Sequence, residues 1–284
     1  MASLRSQGMV LTLYGDYIRQ RGGEIWVGNL IKLLGNFGLS ELAIRSALSR
    51  MCRKGLLSSR HEGRRSFFSL TPQGDELLVK GTQRIFQRPQ RDWDGSWHIV
   101  VYSIPEERRE VRDHFRQELS WMGFGALTNA CWICPWDHSQ EVQDLARALE
   151  MCQHVEIFAA QHMGFATSRE LVTRCWDLER IHRRYVDFLE KYGPQFQDDA
   201  SQWKAGYPLT PAQCFVKRFM LIHEYRRIPY FDPDLPREFL PSVWLRNQSA
   251  QVFTEYHNLL APRANQYFDS IFKKTSEEKK AVAV

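Results

Sequence analysis

The sequence predicts an α+β chain of several domains, and three observations predict it. Its 284 residues exceed the usual size of one domain. Apolar residues recur at the helical spacing i, i+3, i+4, i+7 in some stretches and crowd into short β-branched runs in others. Charge is uneven: residues 1–88 hold 14 Lys and Arg against 6 Asp and Glu, and the rest holds 24 against 27. A basic head on a near-neutral body is the footprint of a polyanion-binding module. Hydrophobic residues make up 43% of the chain and charged residues 25%, which suits packed cores and not a disordered chain. No run approaches the ~18 consecutive apolar residues that span a bilayer. The opening MASLRSQGMVLTLYGDYIRQ shows no apolar run or cleavage site, so no secretory signal is expected and the expected location is cytoplasmic. Cys52, Cys131, Cys134, Cys152, Cys175 and Cys214 are then expected to be reduced small hydrophobes.

The first block, residues 1–88, opens on a helix over Met9–Arg19, with Val10, Leu11, Leu13, Tyr14, Tyr17 and Ile18 forming its stripe and Gly22-Gly23 ending it. Val27–Leu34 is a second short helix, closed by Gly35. Ser40 is suited to cap a third, Glu41–Lys54, and Gly55 to follow it. Two strand-like runs around Gly63 (56–70) predict a hairpin. Thr71-Pro72 starts a fourth helix, with Asp75 and Glu76 in its first turns. Three helices, a hairpin and a helix is the order of a winged helix-turn-helix.

The third helix separates two faces. Ile44, Ala47, Leu48 and Met51 share the core spacing, while Ser46, Ser49, Arg50 and Arg53 share another, with Arg45 and Lys54 adjoining. Arg and short hydroxyl side chains on one helix face are what the major groove requires, because Arg pairs bidentately with guanine and both types hold phosphates. The hairpin adds Arg60, His61, Arg64 and Arg65, where a wing meets the backbone. These residues are the expected contacts to double-stranded DNA.

QRPQRDWDGSW (87–97) is the expected linker. The second block, 97–165, alternates strands and helices. WHIVVYS (97–103) is a strand, Pro105–Trp121 an amphipathic helix, Gly123–Pro135 two short strands or one bulged strand, Ser139–Leu149 a helix and Val155–Ala160 a strand. This β-α-β-β-α-β order predicts a ferredoxin-like domain. It is similar to the small metal-dependent nucleases of CRISPR adaptation, which carry a metal-binding Asp near the end of the first strand. Ser103 stands there, and Glu106 and Glu107 lie beyond Pro105 at a helix start. With no paired carboxylate to hold Mg²⁺, a non-catalytic dimerisation role is expected, without catalytic or metal-ligating residues or cofactor; a metal-dependent nuclease is the alternative. Cys131 and Cys134, with His138, Cys152 and His154 nearby, lack a second spaced pair that would complete a zinc site, and strand alternation sends the two thiols to opposite faces.

The third block, 166–275, is mostly helical: one long helix over Ser168–Tyr192 ended by Pro194, another over Pro211–Arg227, a proline-punctuated stretch (228–244), and two helices, Gln248–Leu260 and Pro262–Phe272. The tail KKTSEEKKAVAV is expected to fray.

LTLYGDYIRQRGGEIWVGNLI (11–31), IRSALSRMCRKGLL (44–57), GRRSFFSLTPQG (63–74), WHIVVYSIPEERREVRD (97–113), HEYRR (223–227), DPDLP (232–236) and LP-x-x-W (240–244) follow one another along nearly the whole chain. In these runs the sequence resembles the PaaX-type repressors of phenylacetate degradation. The resemblance implies a homodimeric repressor on a palindromic operator at genes of aromatic-acid catabolism, released by an aryl-CoA thioester such as phenylacetyl-CoA; a different acyl-CoA is the alternative. Cys131 and Cys134 depart from that family, which has small or apolar residues there. The HEYRR cluster suits such a ligand independently. His223, Arg226 and Arg227 carry charge for phosphates, while Tyr225, Tyr230 and Trp244 offer aromatic surface. The plainer alternative is that these cations complement a helix C-terminus and pair with Asp232 or Asp234.

Overall fold

A computed structural model describes residues 2–86 and 92–272. The tail expected to fray and the first five residues of the expected linker lie outside the described residues. The N-terminal segment comprises α1 (Ala2–Leu13), β1 (Glu24–Trp26), α2 (Val27–Gly35), α3 (Glu41–Arg53), β2 (Leu57–Glu62), β3 (Arg65–Leu70) and α4 (Pro72–Phe86). The middle contains β4 (Trp97–Tyr102), α5 (Arg109–Met122), β5 (Gly125–Ala126), β6 (Cys131–Cys134), α6 (Ser139–Ala148) and β7 (Val155–Ala160). Then follow α7 (Ser168–Cys175), α8 (Leu178–Lys204), α9 (Pro211–Tyr225), α10 (Ile228–Phe231) and α11 (Arg246–Phe272).

Residue contacts divide the chain into two compact units. Of the described residues, one holds 2–86, 188–226 and 248–272; the other holds 92–187 and 227–247. The helical block expected over 166–275 therefore contributes to both.

In the first unit, α1 runs on through a π turn (Tyr14–Ile18) and a 3-10 turn to Gly22, whose φ of +89° stops it. The expected hairpin is present as β2 and β3. A third strand, β1, pairs on the far side of β3, with Glu24 opposite Ser69. Three residues are too short a run for alternation to be legible, so β1 went unpredicted. Leu13, Tyr17, Ile18, Leu30, Leu48 and Met51 are buried together with Phe215, Phe219, Phe253 and Phe268 of α9 and α11. A buried polar knot lies in the same unit. Arg218 Nη2 donates to Asp16 Oδ1 at 3.1 Å, His257 Nε2 lies 2.9 Å from the same oxygen, and the Arg218 guanidinium sits 4.8 Å over the Tyr17 ring. Pairing keeps the cost of these buried charges down; removing one partner typically costs ~3–5 kcal/mol.

In the second unit the sheet order is β5-β6-β4-β7 with antiparallel neighbours throughout, the topology of a split β-α-β. Val100, Tyr102, Trp132 and Cys134 of the sheet pack against Phe115, Leu119 and Val142 of α5 and α6. Gly123–Pro135 resolves into two separate strands. Asp232 binds Arg246 and Tyr185, and Asp234 binds Arg246 at 2.6 Å. Asp232 and Asp234 thus share an arginine 12 to 14 residues further on.

Two helix boundaries correct the sequence expectation. Ser168–Tyr192 is not one helix: the chain turns extended at Trp176, which is buried with its indole N–H on Gly123 O at 3.2 Å, and Asp177 accepts from Arg180 N to start α8. Burial of one large ring outweighs local helix continuity. Conversely, Pro194 and Pro262 end nothing; each lies inside a 27-residue helix. An internal proline costs ~3 kcal/mol or more, which the buried Phe253, Tyr256, Leu260, Ala264 and Phe268 of α11 offset.

Candidate nucleic-acid interface

The surface of interest starts from the two ends of α3. Ser40 Oγ accepts from Ala43 N at 3.3 Å, and Gly55, at φ +69°, follows the helix. Ile44, Ala47, Leu48 and Met51 are fully buried, so the inner face is fixed and the outer one is determined by 3.6-residue geometry. The outer stripe is Leu42, Arg45, Ser49 and Arg53, all exposed, with Lys54 behind it. Leu42 is 80% exposed and was not foreseen. The legible signal was its place in the stripe, three residues before Arg45, where an apolar side chain has no core to enter.

The arginines differ in what holds them. Arg45 Nε donates to Glu41 at 2.8 Å in an exposed one-turn pair. Arg50 turns back along the helix, its Nη1 donating to Ser46 Oγ at 2.6 Å, and its Nε is buried without a partner. Ser46 and Arg50 are therefore engaged with each other. Arg53 and Lys54 are exposed and, among the described residues, have no carboxylate partner.

On the hairpin, Arg60 is gripped from two sides: Glu24 binds it at 2.8 and 3.1 Å and Glu62 at 2.9 Å, above the Phe67 ring. Hydrogen bonds to the two carboxylates push its pKa further up. His61 Nδ1 lies 3.1 Å from Ser66 Oγ, and the Arg65 guanidinium sits 5.2 Å over the Trp26 ring. Arg64, at the turn beside Gly63, is exposed and among the described residues has no carboxylate partner. The basic tip anticipated from sequence is thus partly neutralised by Glu24 and Glu62. Behind it, Arg19 holds Asp75 at 2.6 Å, and that hydrogen bond keeps the Asp75 carboxyl below its ordinary range.

The residues expected to meet a CoA ligand are divided between the two units. In the first, His223 Nδ1 lies 2.9 Å from Thr12 Oγ1, Arg226 Nη2 donates to Gly8 O at 3.0 Å, and buried Tyr225 stacks on Phe253 at 4.0 Å. These three hold α9 to α1 and α11. In the second, Arg227 is exposed, Tyr230 packs on Trp121 at 4.8 Å, and Trp244 lies between His182 and Tyr185. That unit also has an open cleft of about 420 Å³ where α7 meets α8, lined by Arg174, Cys175, Trp176 and their neighbours.

Around the end of β4, Ser103 N donates to His154 O at 2.9 Å, and Glu106 is taken by Arg112 at 2.7 Å. No group of three or more His, Cys, Asp or Glu is placed to hold a metal among the described residues. Cys134 is buried in the core, while Cys131 is half-buried with its thiol pKa pushed up by burial. Among the described residues no helix is long and apolar enough to cross a membrane.

Models of known protein families match the chain in three consecutive segments. Residues 5–74 match the model of PaaX-like proteins, 90–172 that of the PaaX central Cas2-like domain, and 176–270 that of the PaaX-like C-terminal domain. The chain is 33% identical over 259 residues to the transcriptional repressor PaaX of Escherichia coli (strain K12), covering 90% of this chain and 80% of that protein. An uncharacterised protein from Mycobacterium tuberculosis shares the fold, with a TM-score of 0.52 at 22% identity over 86% of this chain and 90% of that one.

Proposed function

Since the chain belongs to the PaaX-like family, we propose that it is a DNA-binding transcriptional repressor whose residues 1–88 act as a winged helix-turn-helix. The observation that carries this proposal is the outer stripe of α3, Leu42-Arg45-Ser49-Arg53, exposed along its length and backed by a fully buried inner face. A helix seated in the major groove would bring Arg45 and Arg53 to guanine edges, Ser49 to a base edge or phosphate, and the Leu42 methyls to a thymine methyl. Arg64, at the hairpin turn, would meet the phosphate backbone.

Two copies of the chain, joined through the central domain (97–165), would place two α3 helices in successive major grooves of a palindromic operator. The segment 166–275 would carry the effector and assembly functions. An acyl-CoA thioester, phenylacetyl-CoA by family resemblance, would favour a state whose α3 spacing mismatches the half-sites, and DNA would leave by population shift. The regulated genes would then be those of aromatic-acid catabolism. A nuclease would need a carboxylate at the end of β4, where Ser103 stands with its amide on His154.

A gel shift on DNA upstream of the protein's own gene tests this, with and without a panel of acyl-CoAs. The expected complex weakens with salt at a log–log slope of about −0.9 per phosphate contacted and is released by phenylacetyl-CoA. A complex indifferent to salt, or none with any promoter fragment, would overturn the repressor assignment.

A further inference from the structure

Three arginines of the second unit stand near one another and, among the described residues, none is matched by a carboxylate as Arg246 is in the same unit. Arg180 and Arg184 are one turn apart on α8, and Arg227 directly precedes α10. The Arg184 guanidinium lies 3.6 Å over the ring of Phe231, the last residue of α10, and that ring is 49% exposed. Among the described residues, none of the three has an ion-pair partner within reach. Asp187 offsets the charge on Arg184 in part, without closing a pair. Burial, Arg180 and Arg227 all act to lower the pKa of Arg184, in that order for the two charges. Arginine does not respond by losing its proton, so the repulsion persists until an anion relieves it.

The platform is also held in place. Asp232, next to Phe231, is buried and locked by Arg246 and Tyr185. A guanidinium held against a ring face loses less freedom on binding, and its planar N–H fork suits bidentate phosphate binding. The exposed part of the Phe231 ring offers a face for a flat heterocycle. Arg180 follows directly on Glu179, which lines the α7–α8 cleft.

We propose that Arg180, Arg184 and Arg227, grouped about the Phe231 ring, form a subsite for the adenine-nucleotide end of a CoA thioester, with the arginines on its phosphates. This deepens the effector assignment made above and rests on it for the identity of the ligand. Duplex DNA carries phosphates too. However, a half-buried guanidinium pinned to a ring suits a compact anion, whereas long exposed side chains such as Arg53 suit an extended backbone.

The test is calorimetric titration of the full chain with CoA, with adenosine 3′,5′-bisphosphate and with pantetheine, which lacks the nucleotide. Arg227→Ala is exposed and leaves the fold alone; Arg184→Gln and Phe231→Ala complete the set, and Arg147→Gln on α6 is the control. We expect CoA and the bisphosphate to bind about tenfold or more weakly to the three variants, pantetheine to bind negligibly to all, and ligand-free operator affinity to be unchanged. Equal affinity of variants and wild type for CoA overturns the site, and if acyl-CoA still releases DNA, the effector assignment survives it. Bisphosphate binding that the variants abolish, together with no release by any acyl-CoA, keeps the site and removes the effector assignment. Weakened operator binding with intact CoA binding would make these DNA contacts and overturn the proposal. So would failure of the wild type to bind either nucleotide.

Discussion

The last turns of α3 and α9 are alike in composition. Arg50-Met51-Cys52-Arg53-Lys54 closes one, and His223-Glu224-Tyr225-Arg226-Arg227 closes or follows the other. Both put cations where a helix dipole favours them, and both read from sequence as binding surfaces. At the end of α3 the cations at 53 and 54 stand in solvent. At the end of α9 His223 and Arg226 turn inward, onto Thr12 and the Gly8 carbonyl, and Tyr225 stacks on Phe253, while Arg227, past the helix end, stays exposed. The difference lies in the neighbours. α3 packs one apolar face and leaves the other bare, whereas α9 has α1 and α11 around its end. Charge at a helix terminus therefore marks a candidate, and only the packing around it distinguishes a recognition surface from a clamp.

Substitutions can break or sharpen that contrast. The largest effect belongs to Tyr225→Ala: losing a buried ring that stacks on Phe253 should cost ~3–5 kcal/mol, read as a large fall in thermal midpoint. A midpoint within a degree or two of wild type would show that the α9 end is not a clamp. Next come Arg226→Ala and Arg53→Ala, which should separate cleanly. The first loses ~1–3 kcal/mol of stability with the charged hydrogen bond from α9 to the Gly8 carbonyl, which keeps only the Thr12 hydroxyl as its side-chain donor. The second loses ~1–3 kcal/mol of operator affinity with its melting curve unmoved. Swapped outcomes would reverse the roles assigned to the two helix ends. Leu42→Ala is smaller, ~1 kcal/mol or less of operator affinity, confined to sites with a thymine beneath it; uniform loss on all sequences would point instead to a change in the helix. The smallest is Glu24→Gln. It loosens the grip on Arg60, so affinity should rise a little and the salt slope steepen by up to about one ion. An unchanged slope would keep Arg60 off the backbone.

Much of the N-terminal segment was legible because its signals are local. Ser40 caps from three residues away, Gly22 and Gly55 stand at the helix ends assigned to them with positive φ, and the core stripe of α3 follows from a 3.6-residue period. The candidate interface was legible as a face but not as a set of contacts. Nothing in the spacing of Arg60 shows that Glu24, 36 residues earlier, will hold it, or that Arg50 will bend back onto Ser46. The two prolines misled for the same reason: their local cost is real, but the apolar burial flanking Pro262 offsets it.

By itself, then, the sequence determined the alternation of helix and strand, the helix caps, and which face of α3 is apolar, since each depends on residues within a turn or two of one another. Only the tertiary structure decided which arginines are spent on carboxylates, that Asp16, Arg218 and His257 would meet across some 200 residues of chain, and that helices from residues 188–226 and 248–272 would complete the core begun by the first 88. Those outcomes depend on contacts between segments far apart in sequence, and long-range packing leaves no periodic trace in the chain that makes it.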